Sequence, residues 1–451
     1  MNIVIRKKSA FSGQKLPENK FTAHKLIESM PLPEKVIIPL QQNIGAPGQS
    51  LVKRGDKVRT GQKIADSKSY VSAPIHSPVS GVVSKNTKIV NPATSSLVEA
   101  VVITADNEDE WVSFEQLSDI KNVGEFPKIV KIVDSLSSAE MIKKIREAGV
   151  VGLGGATFPT HVKLSPPPDK KIDTLILNGC ECEPYITSDH RVLLEYGEKV
   201  LAGLYIISRI ISPENVYIAI EDNKKDAIDY LNRLILQMNL ESNFKIVSLK
   251  SRYPMGAEKT LIKTILGREV PIGGLPLDVG TIVNNVATAK AVYEAVVEGR
   301  PLIDRVVTVT GAVRNPKNLL VRLGAAIDSL ISYCGGIDGS ANELIIGGPM
   351  MGISTTNINF PVIKGTNCIL VKEGRKTVEQ NCIKCGRCVQ ACPMKLMPLM
   401  FVRYVKNEVY EGCREYYIDD CIECGACAYV CPSNIPIVGY IKTGKDALSK
   451  K

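Results

Sequence analysis

The chain has 451 residues, 44% of them hydrophobic, with 56 basic and 47 acidic side chains and a net charge of +9. So small an excess, with 5% aromatics and the single tryptophan Trp111, argues against nucleic-acid binding, which needs concentrated basic residues interleaved with stacking rings. No apolar run approaches the roughly 18–20 residues of a spanning helix and MNIVIRKKSAF lacks a signal-peptide pattern, so a cytoplasmic chain is expected, in which 13 cysteines mean metal and not disulphides.

Taken in chain order, three or four domains are expected. From Pro31 to Trp111, short Val- and Ile-rich segments (KVIIPL, GDKVRTGQKIA, APIHSPVSGVV) alternate with Gly and Pro, which predicts a small all-β unit, bounded at 1–112. Its last two segments resemble the halves of a lipoyl or biotinyl carrier domain. The tip between them, ADSKSYV around Lys68, lacks the Met-Lys-Met-like setting of a carrier lysine, so the fold is expected without the swinging arm. Over 130–300, strands such as TLILN and VYIAI alternate with helical stretches such as SAEMIKKIREAG, predicting an α/β layer on a mainly parallel sheet. RVVTVTGAV, LGAAIDSLISYCG and ELIIGGPMMG predict a β-grasp module over 301–352. A cysteine-rich helical domain is expected over 367–441, followed by a lysine-bearing tail.

CIKCGRCVQACP from Cys382 and CIECGACAYVCP from Cys421 each carry the bacterial ferredoxin spacing, in which the fourth cysteine of one run ligates the cluster of the other. Cys382, Cys385, Cys388 and Cys431 are therefore expected to hold one 4Fe-4S cluster, and Cys421, Cys424, Cys427 and Cys392 the second. Gly386 and Gly425 permit the tight turn between ligands, and Pro393 and Pro432 end the runs. Zinc also accepts four thiolates but does not require a doubled run with trailing prolines. Cys180, Cys182, Cys334, Cys368 and Cys413 are expected to be small buried hydrophobes, with Cys180 and Cys182 notable for lying near the segment considered next.

Clusters move single electrons, and a flavin is the usual converter to two-electron hydride carriers. In VGLGGATFPTHVKL, Gly152, Gly154 and Gly155 form a loop after a helix, where backbone amides can approach a phosphate or flavin ring. A tight turn alone would need the same glycines.

GLGGATFPTHVKL, ILNGCECEPYITSDHRVLLE, YPMGAEKTLIKTILGRE and TIVNNVATA resemble, in order, the segments by which the flavoprotein subunit of respiratory complex I holds FMN and NADH. From end to end the chain resembles the C subunit of Rnf-type electron transport complexes more closely. The fold class so implied is multidomain α+β: an N-terminal barrel-sandwich hybrid, an α/β FMN- and NADH-binding domain, a β-grasp module of SLBB type and an α-helical two-cluster ferredoxin domain.

The same resemblance implies non-covalent FMN on Gly152, Gly154 and Gly155, with Lys163 reaching its phosphate, Asn178 and Glu181 touching the flavin, and Asn284 and Asn285 completing the phosphate pocket. Phe158 and Glu183 would face NADH, while Tyr253, Gly256 and Glu258 would close the site. No side chain is assigned a catalytic role. Cys180 replaces an aspartate of the complex I pattern, Ala257 and Lys259 flank Glu258 where it has Glu and Thr, and Leu164 stands where an aromatic is usual. His24, His76, His161 and His190 are expected to be structural.

The expected function is the NADH-handling, peripheral subunit of a membrane-bound, ion-translocating ferredoxin:NAD+ oxidoreductase on the cytoplasmic side. Its partners would be integral and peripheral subunits, NADH and, indirectly, ferredoxin. The rival readings are a soluble flavin and iron-sulphur cobalamin reductase, a non-enzymatic electron relay, and a carrier domain fused to a ferredoxin.

Overall fold

In the computed structural model, which describes residues 4–7, 13–114, 116–120, 123–374 and 377–449, the strands Thr174–Gly179, Asn215–Glu221, Phe244–Leu249 and Thr281–Asn285 form a parallel sheet. Their residues are mostly buried, as expected where helices cover both faces. Thr281–Asn285 lies on the side of Thr174–Gly179 away from the other two, so the strand order reverses there. Crevices outside the carboxyl ends of strands at such a switch point bind ligands. Helices Gly197–Ile211 and Val286–Val296 cross one face at close range. A Cβ on Gly203 would lie 1.8 Å from the carbonyl oxygen of Ala289, so only glycine allows that crossing.

The N-terminal sandwich pairs a sheet of Lys35–Pro39, Leu97–Ala105, Gly81–Val90 and Lys57–Val58 with a small one of Gln49–Ser50, Lys63–Asp66 and Ile75–His76. Val36, Ile38, Ile64, Val83, Val101 and Ile103 fill it. The hairpin holding Lys68 lies against the α/β domain: Arg146 binds Asp66 at 3.0 Å, and the His161 ring stands edge-on to Tyr70.

Three boundaries differ from the sequence expectation. The stretch before Pro31 is not part of the sandwich: Val4–Lys7 joins the parallel sheet beside Phe244–Leu249, and Ile27–Ser29 joins the β-grasp sheet beside Lys317–Arg322. The β-grasp sheet does not end at 352, because Cys368–Lys372 is inserted between Glu343–Ile346 and Asp304–Gly311. Non-local pairing of this kind leaves no local mark. The tail is the helix Ile437–Ser449, whose buried Ile437, Ile441 and Leu448 join the ferredoxin-like core with Phe401 and Val405. Lys445 of that helix donates to the Cys421 carbonyl at 2.7 Å and to Glu423 at 2.8 Å.

Candidate functional site

At the switch point the glycine loop closes on itself. The Gly152 amide donates to the Phe158 carbonyl at 2.9 Å, and the Thr157 amide to the Gly152 carbonyl at 3.1 Å. The tip, 154–156, is exposed. Gly155 has φ +119°, and a Cβ there would meet no protein atom within 4 Å; one on Gly154 would lie 3.4 Å from Asn285 Cβ. Bare backbone thus fronts the start of helix Val286–Val296, where Asn285 accepts from the Ala287 amide at 2.9 Å. Helix starts of this kind favour anionic groups. Beside it Asn284 is 4% exposed, and its Nδ2 has no hydrogen-bond partner. A buried amide donor without a partner is costly, and an incoming phosphate would relieve it. Lys163 meets Glu258 at 2.5 Å, and Asn178 donates to the Gly256 carbonyl at 2.8 Å, so residues from four segments converge.

Three of the expected residues also make firm contacts within the protein. Glu181, with φ +49°, turns its carboxylate onto the helix Ser188–Glu195, accepting from the Asp189 amide at 2.7 Å. Asp189 accepts from Asn285 Nδ2 at 2.6 Å, and burial followed by the Glu181 charge pushes its carboxyl up to about 7. The Glu183 carboxylate accepts from the Met350 and Met351 amides of the β-grasp domain at 3.1 and 2.8 Å. Gly348 admits it, because a Cβ there would lie 2.3 Å from Glu183 Oε2. Burial pushes the Glu183 carboxyl up to about 7. Tyr253 is 2% exposed and donates to the Cys424 carbonyl at 2.6 Å, toward the ferredoxin-like domain. Phe158 stays half-buried in the glycine loop. Among the histidines, His190 pairs with Asp226 at 2.9 Å, a carboxylate partner that sequence spacing does not reveal.

Lys20 is equally silent in the sequence. Its ammonium donates to the carbonyls of Glu181, Glu183 and Ile186 at 2.9, 2.8 and 2.6 Å, pinning the loop that carries both glutamates. Burial depresses its basicity. A lone lysine more than 160 residues upstream carries no motif that would announce this.

Beyond Tyr253, Cys392, Cys421, Cys424 and Cys427 line one cavity with Leu396 and Phe401. Cys382, Cys385, Cys388 and Cys431 line another with Leu399 and Ile435. Each cavity brings together three cysteines of one run and the fourth of the other. Both loops take the same turn, with positive φ at Lys384 and Gly386 and at Glu423 and Gly425. Backbone amides point at sulphur: Lys384 to Cys382 and Glu423 to Cys421, both at 3.4 Å. The thiols surround a space and do not converge on a point; among the described residues no three metal-binding side chains are grouped for a single ion. A cubane is the larger body that suits such a set. Cys424 and Cys427 are buried while Cys382 and Cys385 are exposed, so the sets form an inner and an outer site. Tyr253, Cys182, Met350 and Cys424 share one apolar cluster.

A switch-point site of flavin type, abutting a domain with two four-thiol cavities, defines a flavin and iron-sulphur electron-transfer protein. Family models agree: the Nuo51 FMN-binding domain matches residues 145–294, the RnfC barrel sandwich hybrid domain 9–108, the SLBB domain 306–354 and the 4Fe-4S dicluster domain 381–435. The C subunit of the proton-translocating ferredoxin:NAD(+) oxidoreductase complex of Clostridium ljungdahlii is 45% identical, over 90% of this chain and 87% of that one. Its counterpart in the Na(+)-translocating complex of Acetobacterium woodii is 41% identical, over 84% and 83%. The corresponding C subunit of the ion-translocating oxidoreductase complex of Rhodobacter capsulatus is 41% identical, over 94% and 80%. A chain of the H2-reduced NAD+-reducing NiFe hydrogenase shares the fold at TM-score 0.52, with 17% identity, over 75% of this chain and 67% of that one.

The chain belongs to the C-subunit family of ion-translocating ferredoxin:NAD(+) oxidoreductase complexes. It carries that family's FMN-binding and 4Fe-4S dicluster domains. No helix among the described residues is long and apolar enough to cross a membrane.

Proposed function

We propose that this chain is the NADH-handling member of a membrane-bound, ion-translocating ferredoxin:NAD+ oxidoreductase, docked on the cytoplasmic side through partner subunits. FMN, when bound, supplies the conversion between a two-electron hydride and single electrons. Gly152, Gly154 and Gly155 would present backbone to it, Asn284, Asn285 and Lys163 would hold its phosphate, and Asn178 with Gly256 would form part of the wall. Phe158 and Glu258 flank the side from which NADH comes. Glu181, Glu183 and Tyr253 support that wall from behind. The inner cysteine set would hold the cluster nearer the flavin, and the outer set, with Cys382 and Cys385 exposed, would hold the one nearer the surface that partners reach; bound clusters would supply one-electron chemistry.

The observation that carries this reading is the apolar cluster in which Cys182 of the flavin-side loop, Tyr253 and Cys424 of the inner set meet. Electron transfer needs its donor and acceptor groups close and sheltered from water, and that cluster provides both between the two sites. The test is anaerobic loading of the whole chain with FMN, iron and sulphide, followed by NADH. Bleaching of the bound flavin is expected; a flavin that binds and stays oxidised would leave only a relay.

A further inference from the structure

Tyr253 is held from both ends. Its backbone amide and carbonyl each pair with Gln14 at 2.8 Å, and its hydroxyl donates to the Cys424 carbonyl at 2.6 Å. The ring between is 2% exposed and packs with Cys182, Met350, Ala391 and Ala426. Behind it, Gly256 donates its amide to Cys182 Sγ at 3.3 Å, and the Asn178 side chain grips the Gly256 carbonyl. A continuous set of fixed contacts therefore runs from the switch point to a peptide of the inner cysteine set. On the β-grasp side, Gly425 lies so close to Met350 that a Cβ would approach its carbonyl oxygen to 2.5 Å. The domains meet here without slack.

We propose that Tyr253 is a positioning residue for electron transfer between the flavin site and the inner cysteine set, its hydroxyl acting on the inner cluster through the Cys424 carbonyl. The proposal rests on the FMN and cluster assignments made above. A reduced cluster carries one more negative charge, spread over its irons, sulphides and thiolates, so a dipole fixed beside it with its positive end inward favours the reduced state. In a buried apolar setting such a bond acts at low local dielectric and is stronger than at a surface. The phenol gives up no proton and takes no electron in this role; it holds a dipole in place.

The experiment is an EPR-monitored redox titration of the full chain, loaded anaerobically, with iron and FMN counted in every sample. Two changes are compared: Tyr253→Phe, which keeps the ring and deletes the donor, and fluorotyrosine at position 253, which makes the donor stronger. In Tyr253→Phe one of the two cluster potentials should move negative, shifting the balance between reduced flavin and that cluster up to about threefold toward flavin, a fraction of one net hydrogen bond because the bond is made in both redox states and only its strengthening on reduction counts. The other potential and the FMN content should not move, and fluorotyrosine should shift the same potential the opposite way. Unmoved potentials in both, at full iron and FMN, overturn the proposal. So does iron loss in Tyr253→Phe with no shift under fluorotyrosine, which would make the residue mere packing. Failure of the unsubstituted chain to bind about eight irons or FMN would instead sink the site assignments, and the counts show it separately.

Discussion

Gly155 tests the site at the level of one residue. A Cβ there meets no protein atom within 4 Å, yet the backbone sits at φ +119°, which L-residues rarely adopt. The open space is what a cofactor would use. Gly155→Val should bind far less FMN than the parent chain while retaining its full iron, because the cysteine domain folds on its own core and metal. Flavin fluorescence released on acid treatment, set against iron content, checks this. Full FMN occupancy would make the loop a plain turn. Much at this scale is legible in the sequence: the eight cysteines and their cross-pairing follow from spacing, and the glycines from their cluster. Lys20, the Met350 amides and the Cys424 carbonyl are not, since each joins residues far apart in sequence, and no local pattern encodes where a glutamate turns once its loop is pinned.

Between elements, two contacts carry most of the precision. Lys20 fixes the loop 181–186 by three donated bonds, so Lys20→Met leaves three buried or half-buried carbonyls without their donor, at roughly 1–3 kcal/mol for a group left unsatisfied. The expected outcome is a lower melting temperature together with weaker FMN retention, read by thermal shift and flavin release; unchanged retention would mean the loop holds its shape without the lysine. Gly203 sets the helix crossing over the sheet. Gly203→Val puts side-chain atoms where the Ala289 carbonyl stands, and overpacking of this kind costs about 1–3 kcal/mol or more. Urea unfolding should show it as a lower midpoint. The alternation of strands and helices that places these elements is plain in the sequence. The exchange of Val4–Lys7 and Ile27–Ser29 into other sheets is not, because short edge strands take their identity from the partner they find.

At the scale of the whole molecule, Lys364 joins three domains. Its ammonium donates to Pro74 of the sandwich at 2.9 Å and Gly149 of the flavin-type domain at 2.7 Å, and its backbone amide donates to Gln42 at 3.0 Å. Burial lowers its basicity from 10.5 to about 7. Below pH 7 the native and unfolded chains both hold the proton, and the burial cost is full. Between about 7 and 10.5 the unfolded chain binds a proton that the native chain does not, so this residue's contribution to stability rises with pH. Lys364→Met should remove that slope: the difference in urea midpoint between parent and variant should change steadily in the parent's favour from pH 7 to 9.5, and a constant difference would refute it. Elsewhere in the molecule the flavin-type site meets the inner cysteines through Tyr253 and the Cys424 carbonyl, and the proposed electron path depends on that contact. Its most direct test starts from whole chains whose clusters have been reduced with dithionite and freed of excess reductant, to which NAD+ is added without oxygen. The cluster EPR signals should fade as NADH absorbance appears in FMN-loaded protein, and neither should happen in protein stripped of flavin. Clusters that stay reduced despite bound FMN, or NADH that forms equally well without it, would contradict the path from nicotinamide through flavin to iron and sulphur.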